Sequence, residues 1–204
     1  MMIKSIDDIT GNPTFITSNF DEPVLYAPAR VEFPTPCSSL KIITAFTDCD
    51  RISTHMIELA EGVKNNSFVK GISVEIILGM TKSSLSQKKH EDICRMIRFL
   101  NSTKGMPKVS CRYICQGPEV HSKIYLWMAP DSQVGYFPYI AFCGSLNYTM
   151  NAFYKRRESV SMCNSMEAFK YYKELLPDTI DCFDPDVSEK LKNVVNNTSD
   201  TFVE

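Results

Sequence analysis

The sequence predicts an α/β fold, a mixed β-sheet flanked by helices. Three observations point to it. The β-branched, apolar runs "LKIITAFTD" (40–48) and "VEIILGM" (74–80) read as buried strands. Helical segments follow each of them, in the strand–helix–strand order of layered α/β domains. From residue 108 onward, strand-like runs succeed one another at close spacing.

Residues 1–36 hold Pro13, Pro23, Pro28, Pro34 and Pro36 and read as a loop-rich lead-in with short strands. After the first strand, "STHMIELAEGVKNN" (53–66) predicts a helix capped by Ser53 or Thr54, with Ile57, Ala60, Glu61 and Lys64 on mixed faces. "LSQKKHEDICRMIRFLNS" (85–102) is the clearest helix, because Ile93, Met96, Ile97 and Leu100 form a stripe of 3.6-residue period. Strands are expected over 108–115, over 121–129, over 135–145 with Pro138 ahead of its regular part, and over 158–163. A short helix is expected at 149–156 and a longer one at 165–179, stopped by Pro177. One domain over 1–185 accounts for these elements, and the polar residues 186–204 read as a tail or the start of a linker.

The chain has 204 residues, 44% of them hydrophobic, enough for one sizeable core. A formal charge of -2 argues against a uniformly basic nucleic-acid binder and leaves room for a local basic groove. Eight cysteines are scattered without a C-x-x-C pair or a histidine cluster, so reduced core thiols are expected rather than disulfides or a zinc site. "MMIKSIDDITGNPTF" lacks the apolar stretch of a signal peptide, and no run approaches the roughly 18 apolar residues of a membrane span. The expectation is a cytoplasmic protein whose Asn-x-Ser/Thr triplets are unmodified.

Three short segments carry candidate chemistry. In "EVHSKIYLWMAP" (119–130), His121 and Lys123 sit two apart on a strand and so share a face with Tyr125 and Trp127. Alone, such a pair is a polar strand rim. In "FCGSLNYTMN" (142–151), Gly144, Ser145 and Asn147 stand between a strand and a helix. Such a turn can simply cap a helix, or it can hold an anion with hydroxyl, amide and backbone N–H groups. In "KRRES" (155–159), Lys155, Arg156 and Arg157 precede Glu158. They form either a solvated turn or a phosphate-attracting group with a carboxylate able to orient a histidine.

Taken together, H-S-K at 121–123, G-S-L-N at 144–147 and a following acid resemble the phospholipase D superfamily. The pattern of elements from about residue 38 to 180 is similar to that fold as well. The fuller family pattern has an Asp where this chain has Met128, in "KIYLWM", with Asp131 out of place. That departure, with Glu158 downstream of Asn147, makes the sequence most similar to the metal-independent restriction endonucleases of the NgoFVII and BfiI kind.

The resemblance implies a phosphodiesterase that cleaves DNA without a metal or other cofactor. His121 would attack phosphorus and form a phosphohistidine. Lys123 and Asn147 would neutralise the phosphate, Glu158 would accept from the other ring nitrogen of His121, and Ser145 would bond a phosphate oxygen or a neighbouring side chain. A second histidine is needed as general acid. His55 is followed at +2 by Ile57 and His90 by Asp92, so neither begins an H-x-K, and a homodimer with two facing His121 residues is expected. No base-reading motif is visible, so a separate DNA-recognition domain or subunit is a possible partner, and no membrane is expected. The alternatives are a nonspecific or RNA-directed nuclease of the same superfamily and a non-catalytic nucleic-acid-binding scaffold. Lipid chemistry ranks below these, because the chain has one motif, no Asp and no membrane anchor.

Overall fold

In the computed structural model, which describes residue 16 and residues 18–191, three parallel strands form the middle and one flank of a sheet. They are β1 (Ser39–Thr44), β2 (Ser73–Leu78) and β3 (Lys108–Ile114). Antiparallel strands extend both sides: β4 (Ile124–Asp131) beside β1, β5 (Gly135–Gly144) beside β4, β6 (Val160–Cys163) beside β5, and β7 (Thr179–Asp181) beside β3. The order across this seven-stranded sheet is β6–β5–β4–β1–β2–β3–β7. The expected mixed sheet flanked by helices is what forms.

Side-chain alternation assigns the two faces. Leu40, Ile42, Val74, Ile76, Val109, Cys111, Tyr125 and Trp127 enter the main core. Helices α1 (Cys49–Lys64) and α3 (Gln87–Ser102) cover that face through Ile52, Met56, Leu59, Ile93, Ile97 and Leu100. On the other face, α5 (Ser165–Leu175) packs Ala168, Phe169, Tyr172 and Leu175 against Ile43, Ile77, Leu126, Met128 and Ala141. Met128 is thus a buried core residue of the α5 face, away from the side to which Tyr125 and Trp127 point.

Several boundaries differ from the sequence expectation. Helix α1 starts at Cys49 because Asp48, not Ser53 or Thr54, caps it: Asp48 Oδ1 accepts the Arg51 N–H at 2.7 Å. Its buried stripe is Ile52, His55, Met56 and Leu59, and Ile57 is exposed. A single turn, α2 (Thr81–Ser84), precedes α3, whose cap is Ser86. Pro138 lies within β5, at the bulge opposite Trp127 and Met128, where a missing N–H is tolerated. Helix α5 ends at Leu175, followed by a 3₁₀ turn at Leu176–Asp178 and by β7, whose three residues are too few to show a period in the sequence.

Over its described part, from Asp21 to Ala29, the lead-in is helical and belongs to the core. Asp21–Tyr26 forms a π-helix and Ala27–Ala29 a 3₁₀ turn, with Val24, Leu25 and Ala29 fully buried. The indole N–H of Trp127 donates to the Val24 carbonyl at 2.8 Å. The domain also continues past 185: α6 (Val187–Lys190) buries Val187, and Leu191 is buried behind it. Residues 192–204 of the expected tail lie outside the described residues, as do residues 1–15.

No disulfide joins the eight cysteines. Among the described residues, no helix is long and apolar enough to cross a membrane. The β4–β5 hairpin closes through Asp131, whose Oδ1 accepts the N–H groups of Gln133 and Val134, and through Gly135 at φ +81°.

Candidate active site

Parallel strands place ligand sites beyond their carboxyl ends. At that end of this sheet lie the exits of β1 and β2, the segment entering β4, the exit of β5 and the segment entering β6. His121 and Lys123 are not in β4 itself, which begins at Ile124; they are the last residues of the incoming segment. Two close approaches hold that segment down. A Cβ on Gly79 would lie 1.9 Å from the Val120 carbonyl oxygen, so only glycine lets β2 end there. The Val120 N–H donates to the Gly79 carbonyl at 3.3 Å.

Lys123 is buried and His121 exposed. The Lys123 ammonium lies 2.7 Å from His121 Nδ1 and 2.6 Å from the His121 carbonyl oxygen. An ammonium has only donors, so Nδ1 accepts in this state. Burial pulls the Lys123 pKa below the ordinary lysine value, and the negative charge of Glu158 opposes that shift. Ser122 points to the other side, where its hydroxyl meets that of Tyr171 on α5 at 3.1 Å.

The G-S-L-N turn is locked to its neighbours on both sides. The Gly144 N–H donates to the Lys123 carbonyl at 3.3 Å, and the Ser145 N–H to the Ser159 carbonyl at 3.0 Å. A Cβ on Gly144 would sit 2.0 Å from that Ser159 oxygen. The Ser145 hydroxyl donates to Glu158 Oε2 and accepts the Ser159 N–H. Asn147 Oδ1 accepts the Phe46 N–H at 3.3 Å, with the Thr44 hydroxyl 3.4 Å away. The oxygen being occupied, the amide N–H₂ is the free end of Asn147: it has no partner among the described residues.

Glu158 therefore contacts Ser145 and not His121, contrary to the sequence expectation. The reason is strand order. Glu158 leads into β6 and His121 into β4, with β5 between them, and strands lie about 4.8 Å apart. Ser145, at the exit of β5, fills the gap. Lys155, Arg156 and Arg157 are all exposed just ahead of Glu158 and form no ion pair among the described residues.

Sequence reasoning missed the supports of this rim. Asp48 ties two helices together: besides capping α1, its Oδ2 accepts the N–H of Met150, the first residue of α4 (Met150–Tyr154), whose own cap is Thr149. The Thr47 hydroxyl donates to the Tyr148 carbonyl, and the Tyr148 hydroxyl meets His55 Nδ1 at 2.6 Å. His55 is fully buried beside the buried Arg51, which pairs with Asp21 at 2.8 Å. The signal that could have found Thr44, Phe46 and Asp48 is their place at the exit of a buried strand. A groove of about 440 Å³ lined by His90, Cys94, Arg98 and Phe183 contains none of the motif residues.

Among the described residues, no three His, Cys, Asp or Glu side chains gather to hold a metal ion. What the rim offers is an imidazole, an ammonium and an amide N–H₂ converging at one sheet end, a set of donors suited to an anion with a nucleophile beside it.

An H-x-K entering one strand and a G-S-x-N leaving its neighbour, side by side at one end of a mixed sheet, is the arrangement of a phospholipase D superfamily domain. More narrowly, residues 34–189 match the family described as "NgoFVII restriction endonuclease N-terminal PLD domain", and the chain belongs to that family of nuclease domains. Solved structures similar to the chain include NucT from Helicobacter pylori, at 18% identity and a TM-score of 0.48, over 83% of this chain and 98% of that one. Another is Nuc, a phospholipase D family member from Salmonella typhimurium, at 18% identity and a TM-score of 0.46, over 83% of this chain and 97% of that one. No curated protein sequence matches the chain.

Proposed function

We propose that this domain hydrolyses phosphodiester bonds of nucleic acids without a metal ion, through a phosphohistidine on His121. The observation that carries the reading is the His121–Lys123 pair held against the Gly144–Asn147 turn. A phosphodiester brought to this rim would draw the Lys123 ammonium and the Asn147 N–H₂ onto its nonbridging oxygens. One ring nitrogen of His121 then attacks phosphorus, a P–N bond forms, and the P–O bond to the leaving oxygen breaks. That oxygen takes a proton from a second imidazole. Water attacks the phosphohistidine, gives its proton to the same imidazole and frees His121.

The second imidazole is His121 of another copy, so the working form is a homodimer about a two-fold axis. His55 cannot serve, being fully buried against Tyr148. His90 is engaged elsewhere, 3.1 Å from the Tyr113 hydroxyl. Glu158 holds Ser145, and its charge favours the ammonium form of Lys123. Lys155, Arg156 and Arg157 attract the strand. DNA is the substrate that the family description favours, as in a restriction endonuclease whose target sequence is read by another domain or subunit. A nonspecific or RNA-directed nuclease uses the same rim.

Cleavage of plasmid DNA, an RNA of similar length and a phospholipid, each with and without EDTA, tests the reading. Nucleic-acid cleavage that survives EDTA and disappears in His121→Ala is expected. Cleavage lost to EDTA and restored by Mg²⁺ rejects the metal-independent mechanism. A fully active monomer in solution rejects the shared site.

A further inference from the structure

With Glu158 on Ser145, the His121 ring needs another support, and Phe46 meets it. Phe46 follows β1, the middle strand of the seven, by two residues and is half-buried. Its ring stands edge-to-face with the His121 imidazole, centroids 6.3 Å apart and planes at 85°. That is a preferred geometry for two aromatic rings. The Phe46 backbone is fixed on both sides: its N–H donates to Asn147 Oδ1 at 3.3 Å, and its carbonyl accepts the Thr44 hydroxyl at 2.8 Å. The Thr44 oxygen in turn accepts the Tyr148 N–H at 3.0 Å.

We propose that Phe46 is a positioning residue of the active site, holding the plane of the His121 ring with its own ring and the Asn147 amide with its backbone. The inference rests on His121 being the nucleophile. His121 is exposed, and its ring has two side-chain contacts of note, Lys123 and Phe46. When a phosphate draws Lys123 away, Phe46 is the contact that stays. The ring that must point at phosphorus is then oriented by a residue anchored in the middle of the sheet. Thr44, Phe46 and Asn147 tie the two family motifs to one strand exit.

Side-chain substitution separates the two roles, because the N–H that holds Asn147 survives in every variant. Phe46→Ala and Phe46→Leu are expected to lower kcat about tenfold with KM little changed, and Phe46→Tyr to restore it. A second readout does not need activity. The chain has three histidines, so the ring signals of His121 can be identified in a labelled sample by their loss in His121→Ala. Nuclear relaxation of those ring carbons is expected to show a less ordered His121 ring in Phe46→Leu, with the buried His55 ring unchanged. Wild-type kcat in Phe46→Leu, or an equally ordered His121 ring, overturns the proposal. If the wild-type domain cleaves no nucleic acid, the function reading fails, and the relaxation measurement alone decides the role of Phe46.

Discussion

Lys123 Nζ stands 2.7 Å from His121 Nδ1, so the nucleophile and the cation assigned to one phosphate are each other's partner in its absence. Burial makes this ammonium easier to deprotonate than an ordinary lysine. Cleavage is therefore expected to fall on the alkaline side before the usual lysine value of 10.5 is reached. Lys123→Arg should move that limb upward, because a guanidinium stays charged. Lys123→Met should cost about 100- to 1,000-fold in kcat without lowering the melting temperature, since it removes a desolvated charge. A pH–rate profile and thermal melts of the three proteins check this.

The run Lys155–Arg157 is expected to act on affinity and not on chemistry. Changing all three residues to Ala should weaken nucleic-acid binding. The slope of log affinity against log salt should fall by about one for each phosphate no longer neutralised. Single-turnover cleavage at saturating enzyme should stay near wild type. Salt titrations of binding with an inactive His121→Ala background separate the two effects.

Gly79 is far from His121 in sequence and coupled to it through Val120. A methyl group there meets the Val120 carbonyl at 1.9 Å, so the strand exit or the 119–121 segment must move. Gly79→Ala is expected to cost about 1–3 kcal/mol of stability and to reduce cleavage even at temperatures where the variant is fully folded. Melting curves paired with activity at low temperature provide the comparison.

His55 makes the fold sensitive to acid. Its pKa is held well below 6.5, first by burial and then by the positive charge of Arg51. The unfolded chain binds a proton near 6.5 that the folded chain refuses, so stability is complete above that value and is lost as pH falls below it. The loss approaches about 1.4 kcal/mol per pH unit until the folded pKa is reached. His55→Gln should flatten this part of the curve. Denaturant melts between about pH 8 and about pH 5 measure it.

Much of the fold was legible because its longest elements repeat a period. The stripe at Ile93, Ile97 and Leu100 and the apolar runs of β1 and β2 required no tertiary information. What escaped was set by contacts distant in sequence. Trp127 bonding Val24 turns a proline-rich lead-in into core, and Arg112 pairing with Asp181 makes a strand of three residues. At the site, the motif letters identified His121, Lys123, Ser145, Asn147 and Glu158, but spacing along the chain says nothing of strand order. Only the placement of β5 between β4 and β6 reveals that Glu158 reaches Ser145 first.

The hairpin that Asp131 and Gly135 close sits at the opposite end of β4 from Lys123, about 27 Å away for eight residues of strand. Val134 at its tip is 70% exposed, and no motif residue depends on it. Inserted sequence there would leave the chemistry where it is, so a reader of nucleotide sequence could be spliced into this turn as an engineered graft. The molecule thus has one edge fixed by its reaction and another free to acquire a new specificity.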